Sequence, residues 1–174
     1  LQDTVAQTLR AVRARNGALD LETVEAQSVV MPDNSVTIEL VPKTRASQLI
    51  EDFMIAANVA MAEFLDAHNS PTIRRIVRSP ERWDRIADLA AKLGATLPPQ
   101  PDSTALAAFL VSRRKVDPDH FSDLSLSVVK LMGPGEYAAH MPGEPDIGHF
   151  ALATHDYTHS TAPNRRLADL VTQR

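Results

Sequence analysis

The 174-residue chain contains no cysteine, only six glycines, one tryptophan, and 5% aromatic residues in all. The absence of cysteine excludes disulfides, thiolate metal sites and cysteine nucleophiles together. No apolar run approaches the roughly 18–20 residues needed to cross a bilayer, and no secretory apolar segment opens the chain. The glycines are too scattered for a dinucleotide fingerprint, and neither a G-x-x-x-x-G-K-S/T loop nor a Gly-x-Ser-x-Gly elbow occurs. A net charge of −4 gives no overall basic signature. What remains is a globular chain of ordinary composition, about one domain long and read as cytoplasmic.

Charge distribution says more than the sum. Fourteen of the 18 cations are arginine, grouped at Arg10/Arg13/Arg15, Arg74/Arg75/Arg78, Arg113/Arg114 and Arg165/Arg166. Arginine suits bidentate phosphate recognition because its planar fork matches two oxygens at once. Taken alone, such groups read as solvated helix faces. Leu1 already stands inside a helical pattern and Arg174 interrupts another, so a piece of a longer protein is expected.

The apolar spacing predicts an α+β fold, mostly helical with a short antiparallel β element. Val5, Leu9 and Val12 mark a first helix stopped by Asn16-Gly17. The β-rich runs 29–31 and 36–40 flank a Pro32-Asp33-Asn34-Ser35 turn and read as a hairpin. Residues 47–65 repeat apolar side chains every three or four positions, with Ser47 as N-cap, and read as the central core helix. Further helices are expected from Pro80 to Leu93, from Asp102 or Ser103 through Leu110, from Asp119 to Leu131, and from Arg165 onward. Residues 147–154 read as a strand. Trp83 falls on the apolar face of its helix, where core packing is the simplest role.

Two local patterns carry chemistry. His155-x-x-x-His159 has the spacing of a zinc pair on a helix, but the Glu of an H-E-x-x-H helix is missing. Thr161-Ala162-Pro163-Asn164-Arg165-Arg166 reads as a turn starting a helix near Pro163 or Asn164, with two arginines beside its first N–H groups. That combination is a physically sound anion site; an ordinary capped surface helix is the equal alternative. The pairs Glu51-Asp52 and Asp117/Asp119 stand where caps and solvated turns are expected.

The order of motifs resembles the ribonuclease II/R (RNB) family of 3′-to-5′ exoribonucleases. Residues 148–153, Gly-His-Phe-Ala-Leu-Ala, are similar to the family's G-H-F-x-L. Residues 157–170 resemble its Y-x-H-F-T-S-P-I-R-R-Y-x-D-L, Gly17-Ala18-Leu19-Asp20 with Glu25 its G-A-L-D…P-E, and residues 49–58 its L-I-E-E-F-M-x-x-A-N helix. The resemblance implies that residues 1–174 are the C-terminal portion of a single RNB-like catalytic domain.

It further implies hydrolytic degradation of single-stranded RNA from the 3′ end to nucleoside monophosphates, by a monomer with no membrane partner. Catalysis in the family uses Mg²⁺ on an Asp cluster from a D-P-x-x-A-x-D-x-D-D motif. That motif is not in these residues, so the Mg²⁺ ligands are expected outside them and no metal ligand is assigned. Arg165 matches the first arginine of the motif and is the implied catalytic and substrate-binding residue. Arg166 and Tyr157 are implied substrate-binding or supporting positions, with His149 and Asp169 behind them. Asp169 is also spaced to pair with Arg165 or Arg166 on one helix.

Several positions depart from the pattern. Ala162 stands for Ser, Asn164 for Ile, Leu167 for Tyr and Ser160 for an aromatic, which removes rings that would stack on bases. The family also clamps bases near the 3′ end with an aromatic before the helix that starts here at Pro80, where Trp83 is the nearest ring. A non-catalytic RNB-like RNA-binding module is the alternative to the enzyme.

Overall fold

The computed structural model describes residues 1–22, 25–41, 43–145 and 147–174. Six α-helices and two small antiparallel sheets follow one another as α1 (Gln2–Arg15), β1 (Glu25–Val30), β2 (Val36–Val41), α2 (Arg45–Ala67), β3 (Thr72–Ile76), α3 (Trp83–Lys92), α4 (Ser103–Val116), α5 (Phe121–Met132), β4 (Glu136–His140), a 3₁₀ turn (Phe150–Leu152) and α6 (Leu167–Thr172). The α+β class is as expected. No helix among the described residues is long and apolar enough to cross a membrane.

The apolar core lies between α3, α4 and α5, where Trp83, Ile86, Ala90, Leu106, Phe109, Leu110, Phe121 and Val128 pack together. Helix α3 contributes residues three and four apart, and α5 residues two turns apart, spacings that line one face. Trp83 is buried as its position implied, and its indole N–H donates to the Pro98 carbonyl at 2.8 Å. This bond ties the proline-rich connection to α3. Asp102 caps α4 by accepting the Ala105 N–H at 3.0 Å.

Helix α2 is not the core centre that its apolar periodicity predicted. Its buried stripe is Asp52, Ile55, Asn58 and Ala62, whereas Ile50 and Phe64 are exposed. The reason is electrostatic. Asp52 is 0% exposed because Arg10 and Arg13 of α1 reach its carboxylate at 3.1 and 2.6 Å. Helices α1 and α2 therefore meet through an ion-paired seam, and Val5 and Val12, expected inward, are exposed. The readings of Asp52 and of Arg10/Arg13 as solvated charges are corrected together, whereas Glu51 stays at the surface in a pair with Lys43. Helix α2 also begins earlier than expected, with the Thr44 hydroxyl, not Ser47, as cap, accepting the Ser47 N–H at 3.1 Å.

Strands β1 and β2 form the expected hairpin, in register from Glu25↔Val41 to Val30↔Val36, with Asn34 in the left-handed region at the turn. The second sheet was not expected. Strand β3 pairs antiparallel with β4, Thr72 opposite His140 and Ile76 opposite Glu136. Its other edge takes the segment read as a strand over 147–154. That segment forms only isolated bridges at His149, because Phe150–Leu152 turns as 3₁₀ and Ala153 sits at φ 48°. Helix α3 starts at Trp83 after a turn, not at Pro80, and α6 at Leu167, not Arg165.

Candidate nucleic-acid interface

Strand β3 is the rail on which the C-terminal motif is laid. The Arg75 N–H donates to the Tyr157 carbonyl at 2.9 Å, the Phe150 N–H donates to the Val77 carbonyl at 2.8 Å, and the Thr158 hydroxyl donates to the Ile73 carbonyl at 2.6 Å. Arg74 is 1% exposed and pairs with Asp66 and, at 3.6 Å, with Asp156. A buried cation in that position fixes the strand against the end of α2. The expectation of a solvated Arg74 is thereby overturned.

Two buried polar side chains then fix the loop that carries Arg165. Asn58 of α2 donates to the Tyr157 hydroxyl at 3.2 Å and accepts from the Ser160 N–H and hydroxyl at 2.9 and 3.1 Å. Asp169 of α6 accepts the Ala162 N–H at 2.8 Å and the Arg166 guanidinium at 2.7 Å through the same oxygen. Of the two pairings open to Asp169, the one with Arg166 is formed. The Arg165 and Arg166 N–H groups both turn back to the Ala162 carbonyl at 3.2 and 3.1 Å. They are closed into a turn and are not the free helix-end donors that the sequence suggested.

Arg165 projects from this loop as an exposed side chain with no carboxylate partner among the described residues. Arg165, Arg166 and Arg75 all act electrostatically on His159, which belongs to a group of rings with Tyr137, Tyr157 and His149. Tyr157 lies edge-on to both His149 and His159, at centroid distances of 5.4 and 5.6 Å. It is buried, so it stands beneath the surface to which Tyr137 is exposed. Tyr137 lies directly opposite Arg75 in the β3–β4 register, and the guanidinium sits 5.1 Å from its ring centre. Sequence reasoning missed Tyr137, which belongs to no motif; the β-branched run Thr72-Ile73-Arg74-Arg75-Ile76-Val77 was the available sign of a strand beside it.

The local field is positive. Burial, reinforced by Arg166, Arg75 and Arg165, lowers the His159 pKa from the ordinary 6.5 to about 4. Burial also lowers His149 to about 4, with Arg75 and His159 adding to the shift. Burial pushes the Tyr157 phenol up against the opposing pull of Asn58 and nearby arginines. Burial works to raise the Asp169 carboxyl, but the bonds from Arg166 and Ala162 hold it below the carboxylate range. Both imidazoles are therefore neutral at pH 7. The Tyr137 hydroxyl and His159 Nδ1 are hydrogen-bonded at 2.8 Å, the imidazole tautomer setting which of the two donates.

The carboxylates present do not fit a metal. Asp52 and Asp169, both fully buried, are held by arginines, and no group of three or more His, Asp or Glu is placed to bind an ion among the described residues. His155 and His159 do not share a helix face, because residues 153–166 contain no helix. The zinc alternative has no scaffold here.

A pinned loop carrying two arginines, on a strand rail with neutral rings beside it, is an arrangement chemically able to take an anion such as phosphate. The comparison with known proteins gives it a family. The chain matches the RNB domain over residues 1–174 and belongs to that family. It is 36% identical to Ribonuclease R 1 of Lactococcus lactis over 173 residues, covering 95% of this chain and 20% of that protein. It is 32% identical to Ribonuclease R of Thermotoga maritima over 181 residues, covering 98% of this chain and 24% of that protein. The solved RNase R of Mycoplasma genitalium in complex with ribose methylated single-stranded RNA superposes with a TM-score of 0.83 at 23% identity, over 99% of this chain and 27% of that one. The chain thus spans about a fifth to a quarter of the length of these relatives.

Proposed function

We propose that this chain is the C-terminal portion of the catalytic domain of a hydrolytic 3′-to-5′ exoribonuclease acting on single-stranded RNA and releasing nucleoside monophosphates. Arg165 carries the reading. It is exposed and free of any carboxylate partner among the described residues, on a loop fixed by Asn58 on one side and Asp169 on the other. A guanidinium held in this way offers a two-pronged donor to a phosphate and neutralises charge that develops on its oxygens during displacement. Arg166 adds positive charge while it secures Asp169. Tyr157 shapes the surface from beneath through Asn58.

Kinship with proteins named ribonuclease R, and the shared fold of one solved with single-stranded RNA, support RNA as the partner. Mg²⁺, when bound in such an enzyme, would supply activation of the attacking water. Its ligands lie outside residues 1–174, since the carboxylates of this surface do not fit it. The parent polypeptide acts as a monomer in the cytoplasm and takes no membrane partner.

The test uses the full-length polypeptide that contains this chain and a 5′-labelled single-stranded RNA, with Mg²⁺ and then with EDTA. Progressive shortening from the 3′ end, abolished by EDTA, is expected. Arg165→Ala should lower turnover by about 100-fold or more, with a much smaller change in RNA affinity, because the interaction strengthens in the transition state. Measurable RNA binding without shortening would replace the enzyme with a non-catalytic RNB-like RNA-binding module.

A further inference from the structure

The departures from the family motif remove rings from this surface, yet an exposed ring stands on it. Ser160, where an aromatic is usual, is buried against Asn58 and contributes no surface. Leu167, where a tyrosine is usual, is exposed but aliphatic. Tyr137, on β4, is 47% exposed.

Three contacts hold Tyr137 in a defined place. Its hydroxyl is bound to His159, its ring meets the His159 ring edge-on at 5.6 Å, and Arg75 lies over it at 5.1 Å. The hydroxyl is engaged, and nearly half of the residue is left open to solvent. Arg75 lies over Tyr137 and Arg165 acts electrostatically on His159, and neither arginine has a carboxylate partner among the described residues. An exposed ring with one guanidinium over it, and a second close to the histidine that braces it, matches the two parts of an unpaired nucleotide, a planar base and an anionic phosphate.

We propose that Tyr137, braced by Arg75 and His159, is a stacking ledge for an unpaired nucleobase of the RNA whose backbone passes Arg165. This rests on the exoribonuclease reading above. Every base has a π-face, so the ledge contributes affinity without selecting sequence. The His159 ring stands beside the ledge, with its Nδ1 2.8 Å from the Tyr137 hydroxyl. Tyr137 is a binding residue and takes no part in bond cleavage.

The experiment measures equilibrium binding of labelled single-stranded RNA to the full-length polypeptide in EDTA, for the wild type, Tyr137→Ala, Tyr137→Leu and Tyr137→Phe. It repeats each titration with RNAs carrying one abasic nucleotide at successive positions from the 3′ end. Tyr137→Ala and Tyr137→Leu should weaken binding by roughly 5- to 100-fold, and Tyr137→Phe should restore most of the affinity because it keeps the ring. In the wild type one abasic position should cost several-fold, and that same position should cost nothing in Tyr137→Ala. The leucine variant fills the space of the ring and keeps the comparison meaningful if alanine disturbs the fold.

An unchanged affinity in both Ala and Leu variants, or equal losses in Leu and Phe, overturns the ledge. An abasic penalty that persists in Tyr137→Ala overturns it too. Each of these leaves the enzyme reading standing if the wild type shortens RNA in Mg²⁺. A wild type that neither binds nor shortens RNA overturns both.

Discussion

Asp169 and Arg166 form a pair at 2.7 Å across one turn of chain, and the oxygen that holds the guanidinium also holds the backbone of Ala162. One carboxylate oxygen thus sets both an arginine and the loop that presents its neighbour, Arg165. The other oxygen, Oδ2, is buried without a hydrogen-bond partner. Asp169→Asn keeps the bonded oxygen and places an amide where no bond is lost, so it should cost about 1 kcal/mol. Asp169→Ala strands the Ala162 N–H and Arg166 and should cost about 3 kcal/mol. Urea unfolding of the two variants checks this, and equal losses would show that charge, not the shared oxygen, does the work. Exposed Arg165→Ala should stay within about 0.5 kcal/mol of wild type.

Asn58 joins α2 to the motif from the opposite side. It is 0% exposed and uses both ends of its amide, donating to Tyr157 and accepting from Ser160. Asn58→Ala leaves a buried phenol and a buried N–H without partners, a loss of about 2–4 kcal/mol. Asn58→Asp keeps the acceptor but replaces the donor to Tyr157 with an oxygen. It should be destabilising as well, and an Asp variant as stable as wild type would show that the tyrosine contact is dispensable.

The two depressed histidines set a pH dependence with a fixed sign. His149 and His159 titrate near 4 when folded, against an ordinary 6.5. Between those values the unfolded chain binds protons that the folded chain refuses, so stability is full above about pH 6.5 and falls as the pH drops towards 4. The urea midpoint should therefore be lower at pH 5 than at pH 7.5. His159→Gln, which removes one of the two groups, should flatten the slope; a midpoint indifferent to pH over this range contradicts the neutral imidazoles.

The features legible in the sequence are those fixed by neighbours along the chain. The β1–β2 turn, the Asp102 cap, Trp83 at its helical spacing and the pairing of Asp169 with an arginine of its own segment are all local. The seam of Asp52 with Arg10 and Arg13 was not legible, because a buried carboxylate with two distant arginines looks like any solvated charge until the helices are placed. Strand β3 was obscured in the same way. Arg74 and Arg75 read as a charge run, although one is buried and the other faces Tyr137 across the sheet. The candidate site was legible at Arg165 and Arg166, where a motif carries it. It was silent at Tyr137, whose role depends on a strand pairing over a long separation.

Gly135 offers the sharpest separation of structure from function at this surface. A Cβ on it would overlap the guanidinium of Arg75, the mobile end of a long side chain and not a backbone atom. Gly135→Ala should therefore leave the fold within about 0.5 kcal/mol of wild type, since Arg75 can swing aside. That movement takes the cation off the face of Tyr137 and away from the phosphate path. RNA binding by the full-length polypeptide should weaken by several-fold, and Arg75→Gln should weaken it further while reducing the slope of log affinity against log salt by about one. If Gly135→Ala instead unfolds the protein at a markedly lower urea concentration, Arg75 is a structural brace; if it binds RNA as the wild type does, the position of the guanidinium over Tyr137 is without consequence for the ligand.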